Sequence, residues 1–160
     1  MPPLYRIAEI CVYSLLNFLP FMALALYPFR SRFRFSVKIT VCIIVVISFI
    51  QMGLGLWAAF FSGGKAALAS VVSTAVYVVF YFIAIKVNFG KALFTLLMIS
   101  NTANFVVAAS KCIEGKIFPE LAVQSYRWSF SLIMLVVLAF VWIPLFIYTK
   151  KVYTPAVEKE

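Results

Sequence analysis

Histidine and aspartate are absent from this sequence, and charged residues of any kind are scarce. Of the 160 residues 12% are charged, and all five acidic residues are glutamates. A Ser-His-Asp triad and a histidine-ligated metal site are therefore excluded. No apolar segment contains two carboxylates, which excludes an intramembrane aspartyl dyad. We therefore predict no enzymatic activity, no metal ion and no cofactor.

Cysteine is equally sparse, with three residues and no C-x-x-C spacing. Cys11 and Cys42 lie in apolar segments, where a free thiol behaves as a small hydrophobic side chain. Cys112 is expected at the outer edge of an apolar segment. We predict that it forms no intramolecular disulfide, because Cys11 belongs inside a helix and Cys42 lies near the far end of its segment.

Long apolar segments dominate the chain, which is 65% hydrophobic with a mean hydropathy of +1.07. A soluble domain has roughly 45–50% apolar residues. A spanning helix needs about 20 consecutive apolar residues, and the segments that qualify are 7–28, 39–61, 66–85, 92–110 and 128–148. They are too long for barrel strands, and backbone in lipid must satisfy its own hydrogen bonds. The predicted fold is therefore all-α, a single polytopic transmembrane helical bundle with about five spans.

Lysine and arginine cluster at the ends of these segments, and their uneven distribution predicts the orientation. One side of the predicted membrane carries nine of them, namely Arg30, Arg32, Arg34, Lys38, Lys86, Lys91, Lys150, Lys151 and Lys159. The other side carries five, namely Arg6, Lys65, Lys111, Lys116 and Arg127. Because cytoplasmic connections carry the positive excess, we expect the N-terminus outside and the C-terminus in the cytoplasm. The net charge of +9 thus indicates the lipid bilayer, and not nucleic acid, as the partner.

Polar residues inside the apolar segments are the main candidates for function. The stretch SNTANF places Asn101 and Asn104 within the fourth segment, between KALFTLLMI and VVAAS. A spacing of three puts both amides on one helical face, with Asn104 about 4.5 Å nearer the outside. The other polar residues also fall at the midplane or in the outer half of their segments: Glu9, Asn17, Gln51, Ser70, Ser73 and Thr74.

Two explanations of these polar residues stay open. The amides can form hydrogen bonds between helices, each worth about 0.6 kcal/mol, or they can line a cavity that opens to the outside. Hydrogen bonds between helices have no reason to prefer one leaflet, which favours the cavity. We therefore treat these eight residues as a candidate ligand-binding site. The small residues of the third segment are equally suited to a close contact between helices. The Glu9 side chain is equally able to extend to the membrane interface.

The N-terminal part of the chain resembles a known family. The stretch LNFLPFMALALYPFR, followed by SRFRFS, is similar to the membrane-embedded input region of bacterial GHKL-type sensor histidine kinases, and IPLFIYTKKVY is a weaker similarity. The resemblance implies an extracellular signal, often a peptide, a homodimer in the bacterial cytoplasmic membrane, and a C-terminal kinase module. The chain has no histidine to phosphorylate, so the expectation is an input region without its kinase.

Three functions remain compatible with these observations. The first is a ligand-sensing transmembrane domain that passes an extracellular peptide or small-molecule signal to a cytoplasmic module. The second is a small substrate-binding membrane subunit of a transporter, which needs the same outer cavity. The third is a structural or assembly membrane protein, in which the polar groups only join helices.

Overall fold

The computed structural model describes residues 3–61 and 66–158. By length and composition, five of its helices can cross a membrane. They are α1 (Leu4–Leu26), α2 (Val37–Phe60), α3 (Ala66–Ala84), α4 (Phe89–Ile117) and α6 (Trp128–Tyr148). Two short helices, α5 (Pro119–Ala122) and α7 (Thr154–Glu158), lie outside these spans. The prediction of an all-helical chain with five candidate spans is confirmed.

The fourth helix is longer than the sequence predicted. We expected the fourth span to end at residue 110, but α4 continues to Ile117. The charged residues that follow position 110 do not end the helix, because Lys111 and Glu114 pair with each other one turn apart, at 3.4 Å. The helix ends at Phe118, which has φ −128° and ψ 64°. This residue precedes Pro119, and a residue before proline is disfavoured in the helical region.

α1 lies at the centre of the bundle, since it packs against α2, α4 and α6. α3 packs mainly along α2. The apolar core is formed mainly by side chains of α1, α4 and α6, among them Phe18, Phe21, Met22, Leu24, Ile99, Val106, Phe130 and Met134, and is extended by Phe80, Tyr81 and Ala84 of α3. The peripheral position of α3 is what leaves space between it and α1.

Gly55 of α2 packs directly against α1. A Cβ atom at this position would lie 2.6 Å from Ser14 Oγ and 3.4 Å from Ile10 Cγ2. Small residues allow membrane helices to pack this closely. Gly53, on the same helix, has no atom within 4 Å of its ideal Cβ position. The two glycines therefore form a matched pair in which only Gly55 faces a neighbouring helix.

Gly55→Ala is expected to lower the free energy of unfolding by about 1–2 kcal/mol, as for other overpacked contacts. The new methyl group would force Ser14 Oγ to rotate and to break its 2.9 Å hydrogen bond to the Ile10 carbonyl. Gly53→Ala should leave stability unchanged or raise it by up to about 1 kcal/mol, because alanine favours the helix. Unfolding by SDS in mixed micelles measures both.

A third variant separates the clash from other effects of alanine. In a Ser14→Ala background the clashing hydroxyl is gone, so Gly55→Ala should then cost little. A cost that persists in this background would show that the interhelical distance at Gly55 is not limited by Ser14.

The connections 27–36 and 85–88 and the segment 149–158 meet at one end of the bundle, which we call the basic end. An antiparallel β-bridge joins Phe33 to Ile85. The segment 149–158 begins with one π-helical turn, Thr149–Tyr153. Tyr153 Oη lies 2.6 Å from Thr95 Oγ1 on α4, and Ser31 Oγ donates to Glu158 at 3.2 Å. Helix α6 is thus connected at this end to both α4 and the end of α1.

Charge is distributed unequally between the two ends. The basic end carries eight of the described lysines and arginines: Arg30, Arg32, Arg34, Lys38, Lys86, Lys91, Lys150 and Lys151. Its one described acidic residue is Glu158. The opposite end carries four, Arg6, Lys111, Lys116 and Arg127, together with Glu9, Glu114 and Glu120. Lys65 and Lys159, which the sequence count includes, lie outside the described residues.

Candidate functional site

Two polar cavities adjoin each other between α1 and α3. One has a volume of about 480 Å³ and is bounded by α1, α2, α3 and the loop at 125–126. The other has a volume of about 420 Å³ and is bounded by α1, α3 and α4. Both walls include Tyr13, Asn17, Phe18, Ser70, Ser73 and Tyr77. We call the two cavities together the polar cleft.

The cleft lies beside the half of α3 that has fewer buried side chains. Near the basic end, Phe80, Tyr81 and Ala84 are buried, and Tyr81 Oη donates to the Ala92 carbonyl of α4 at 3.2 Å. In the other half of α3, Ser70 and Thr74 are exposed. The exposed polar residues of α3 thus line the cleft in the half of the bundle remote from the basic end, while Ala25 of α1 and Leu96 of α4 extend the smaller cavity toward the basic end.

Six of the eight predicted site residues lie in the walls of the cleft. Asn17, Ser70 and Ser73 line both cavities, Gln51 lines the larger one, and Thr74 and Asn104 line the smaller one. Residues from four helices that are far apart in sequence thus come together. Glu9 and Asn101 are in neither wall.

Asn101 departs from the expectation that both amides of SNTANF face one cavity. It is an exposed residue of α4, whereas Asn104 lines the smaller cavity. Residues three apart on a helix differ by about 60° around its axis, and here that rotation is enough to move Asn101 away from α1 and α3. The expectation that Asn101 faces this cavity is therefore wrong.

Gln51 connects two helices instead of offering a free amide to the cleft. Its side chain is 7% exposed. Nε2 donates to the Ser73 carbonyl at 3.0 Å, and Oε1 accepts from the Ser73 hydroxyl. Both ends of the amide are used, which is the bonding expected of a buried polar group between membrane helices. For Gln51 and Ser73 the structure thus favours the helix-joining explanation.

Glu9 pairs with arginines of this chain at the end opposite the basic end. Its Oε2 lies 2.9 Å from Arg6 and 3.7 Å from Arg127. Its Oε1 accepts from the Trp128 backbone N–H at 3.1 Å. Arg6 also donates to the carbonyls of Ser125 and Tyr126. These contacts join the start of α1 to the start of α6, and they explain why Glu9 is directed away from the cleft.

Among the polar side chains that helices place in the walls of the cleft, four are exposed and have no hydrogen-bond partner within the described part of the chain: Asn17, Ser70, Thr74 and Asn104. They supply amide donors, amide acceptors and hydroxyl groups. These groups are thus free to bind a ligand or water.

Two aromatic residues of the cleft, Tyr13 and Tyr126, were not found by sequence reasoning. The Tyr13 and Tyr126 rings stack at 3.8 Å with an interplanar angle of 13°, and both line the larger cavity together with Tyr77. Tyr126 has φ 55°, which is uncommon for a bulky residue. Tyr13 was detectable in principle, because it lies four residues before Asn17 on the same helical face. Tyr126 lies in a loop and gives no periodic signal.

A buried carboxylate was also missed. Glu114 is fully buried between α4 and α6. Its Oε1 accepts from Ser129 Oγ at 2.6 Å, and its Oε2 lies 3.4 Å from Lys111 Nζ. Lys111 Nζ is also 4.8 Å from the centre of the Phe130 ring, within the range of a cation–π contact. The i, i+3 spacing of Lys111 and Glu114 was the available signal, but both residues lie beyond the predicted fourth segment, 92–110.

Comparisons with known proteins give no relative for this chain. No protein-family model, curated protein or solved structure matches it. The resemblance to the input region of sensor kinases therefore stays a prediction. Within residues 3–61 and 66–158, no three histidine, cysteine, aspartate or glutamate side chains are grouped so that they could hold a metal ion.

Proposed function

We propose that this chain is a ligand-sensing transmembrane domain that passes an extracellular signal to a cytoplasmic module. The observation that carries the proposal is the polar cleft with its four unbonded side chains, Asn17, Ser70, Thr74 and Asn104. A polypeptide that only joined helices would gain nothing from polar groups left unpaired at this depth, because each is costly in hydrocarbon.

The ligand is an uncharged small molecule or an uncharged segment of a peptide. Among the described residues of the two walls, Arg6 is the one charged side chain, and it is paired with Glu9 at 2.9 Å. The remaining polar groups are hydroxyls and amides. The rings of Tyr13, Tyr77 and Tyr126 add flat surfaces on which an apolar or aromatic part of the ligand can pack.

The signal is a population shift between two positions of α3. A ligand that bonds to Ser70 or Thr74 on α3 and to Asn17 or Asn104 opposite favours a narrower cleft. The tight contacts of α3 at the basic end act as the pivot. The change reaches the segment 149–158 through α4, which is bonded to α3 by Tyr81 at the Ala92 carbonyl and to the segment by the 2.6 Å contact between Thr95 and Tyr153.

The charge distribution supports an orientation with the cleft outside. The basic end has eight described lysines and arginines against one acidic residue, and the opposite end has four against three. An excess of Lys and Arg is typical of the cytoplasmic side. The N-terminus is then extracellular and the C-terminus cytoplasmic, in the cytoplasmic membrane of a bacterium. A homodimer is the assembly implied by the sensor resemblance.

The sensing mechanism predicts two positions of α3 relative to α4, and only at the cleft. Nitroxide labels on Val71→Cys and Phe105→Cys, both exposed, report the cleft. Labels on Ile83→Cys and Phe94→Cys, also exposed, report the packed end of the same two helices. The native cysteines are first replaced by serine. Pulsed electron paramagnetic resonance should give a broad or double distance distribution for the first pair and a narrow one for the second.

Equal, narrow distributions for both pairs would contradict the sensing mechanism. That result would mean that α3 has a single position, as expected for a structural or assembly protein. Broad distributions for both pairs would exclude the pivot at Tyr81 and Ala92. A broad or double distance distribution for the first pair alone would support an α3 that moves beside the cleft and stays fixed at the basic end.

A further inference from the structure

A separate apolar groove lies between α2 and α3 near the basic end. Its volume is about 520 Å³, and every described side chain that lines it is apolar: Phe35, Ile43, Ile47, Ala75, Val76, Val79, Phe80 and Ile83. Along α3 the groove extends from Ala75 to Ile83, which corresponds to about 12 Å at 1.5 Å per residue. One leaflet of the hydrocarbon core is about 15 Å thick. The groove therefore has the length of an acyl chain in a single leaflet.

Cations are concentrated where the groove meets the basic end. Arg34 directly precedes Phe35, and Lys86 follows Ile83 by three residues. Backbone hydrogen bonds of 2.8 Å fix this arrangement, from Arg34 N–H to the Ala84 carbonyl and from Lys86 N–H to the Arg32 carbonyl. The second bond places Arg32 opposite Lys86. Like charges opposite each other are destabilising unless an anion lies between them.

These cations have no acidic partner within the described part of the chain. The ion pairs found there involve Arg6, Lys111 and Arg127, all at the other end of the bundle. The side chains of Arg34 and Lys86 are exposed. An anion held at the mouth of the groove would thus offset the repulsion between Arg32 and Lys86 without displacing any internal contact.

We propose that this groove binds one anionic phospholipid, with an acyl chain between α2 and α3 and the phosphate between Arg34 and Lys86. Apolar contact alone does not select a lipid, because lipid tails are as apolar as the groove. Selection comes from the headgroup, and each lysine or arginine near the membrane surface contributes about five-fold in affinity for anionic lipid. The site is independent of the polar cleft and of the side on which the basic end lies.

Lipid retention by the full chain tests the headgroup half of the site. The protein is placed in nanodiscs of equal parts phosphatidylglycerol and phosphatidylcholine, and the lipids it retains are counted by native mass spectrometry. Phosphatidylglycerol should be retained in preference. Arg34→Gln combined with Lys86→Gln should lower this preference by about 25-fold, five-fold for each cation.

Lys38→Gln is the matched control, because it removes one charge from the same end. Lys38 lies five and nine residues before Ile43 and Ile47, which puts it on the opposite face of α2 from the groove. It should leave the preference nearly unchanged. A loss of about five-fold in Lys38→Gln, equal per charge to that in the double variant, would mean that only the overall charge acts, and would overturn the site.

The acyl-chain half is tested separately by filling the groove. Val79→Trp places a large ring in it, at a position that is 56% exposed and so has room for the ring. Val71→Trp, 65% exposed on the same helix but outside the groove, is the control. Retention of both lipids should fall in Val79→Trp and not in Val71→Trp. Val79→Trp and its control still show whether a lipid chain occupies the groove if the double charge variant does not fold.

Three results would overturn the proposal. Equal retention of the two lipids by the unchanged protein would remove the basis for a selective site. Unchanged retention in Val79→Trp would show that no chain occupies the groove. Displacement of phosphatidylglycerol by inorganic phosphate would indicate a site for a free anion, without any role for the acyl chain.

Discussion

Glu114→Ala is expected to lower the free energy of unfolding by about 2–3 kcal/mol. The Glu114 side chain is fully buried, and Ser129 Oγ donates to it at 2.6 Å. Its removal leaves the buried Ser129 hydroxyl without an acceptor and creates a cavity between α4 and α6. Lys111 contributes little to the loss, because its side chain is 37% exposed and water screens such a pair.

Two further variants isolate the carboxylate of Glu114. Glu114→Gln keeps an acceptor for Ser129 and gives up only the ion pair, so it should cost about 1 kcal/mol. Glu120→Ala removes an exposed acid from the same end of the bundle, and should stay within about 0.5 kcal/mol of the unchanged protein. SDS unfolding in mixed micelles, followed by tryptophan fluorescence, measures all three. If Glu114→Ala and Glu120→Ala behaved alike, the bond to Ser129 would not stabilise the bundle.

Asn104→Cys and Asn101→Cys are expected to differ sharply in their reaction with a membrane-impermeant maleimide. The two positions are three residues apart on α4, but only Asn104 lines the smaller cavity of the cleft. The thiolate is the reactive form of cysteine, and it forms in water and not in hydrocarbon. On a background in which the native cysteines are replaced by serine, Asn104→Cys should be labelled in intact cells and Asn101→Cys should not.

The same experiment tests separately whether the cleft contains water and which side of the membrane it faces. Labelling of Asn104→Cys only after the membrane is opened would mean that the cleft faces the cytoplasm, contrary to the proposed orientation. No labelling of Asn104→Cys under either condition would mean that the cleft holds no water. Equal labelling of both positions would show that α4 is surrounded by water at this depth, which contradicts a spanning helix.

The helix-joining and ligand-binding explanations of the polar residues apply to different members of the set. Gln51 and Ser73 satisfy each other across α2 and α3. Asn104 lies in the same half of the bundle and has no partner in the described residues. The sequence could not make this division, because both kinds of residue are polar groups in apolar helices and differ only in what lies opposite them.

The sequence by itself determined the class of fold and the distribution of charge. Apolar segments of spanning length must form helices, because backbone groups in hydrocarbon have no other partners. The fifth predicted span, 128–148, coincides with α6. The absence of histidine and aspartate and the lysine and arginine counts need no structure, since they are properties of composition.

The tertiary structure decided which polar residues come together. Two residues that are three positions apart on a helix differ by a fixed rotation about its axis. Only the position of the neighbouring helices places Asn104 in the cleft and Asn101 outside it. Burial of Glu114 depends on Ser129, a residue of another helix that happens to lie opposite. The pairing of Glu9 with Arg127 and the bond from Arg6 to the Tyr126 carbonyl were likewise invisible, because these residues are far apart in sequence. Periodicity gives the direction of a side chain about its own helix axis, and helix packing alone gives what it meets.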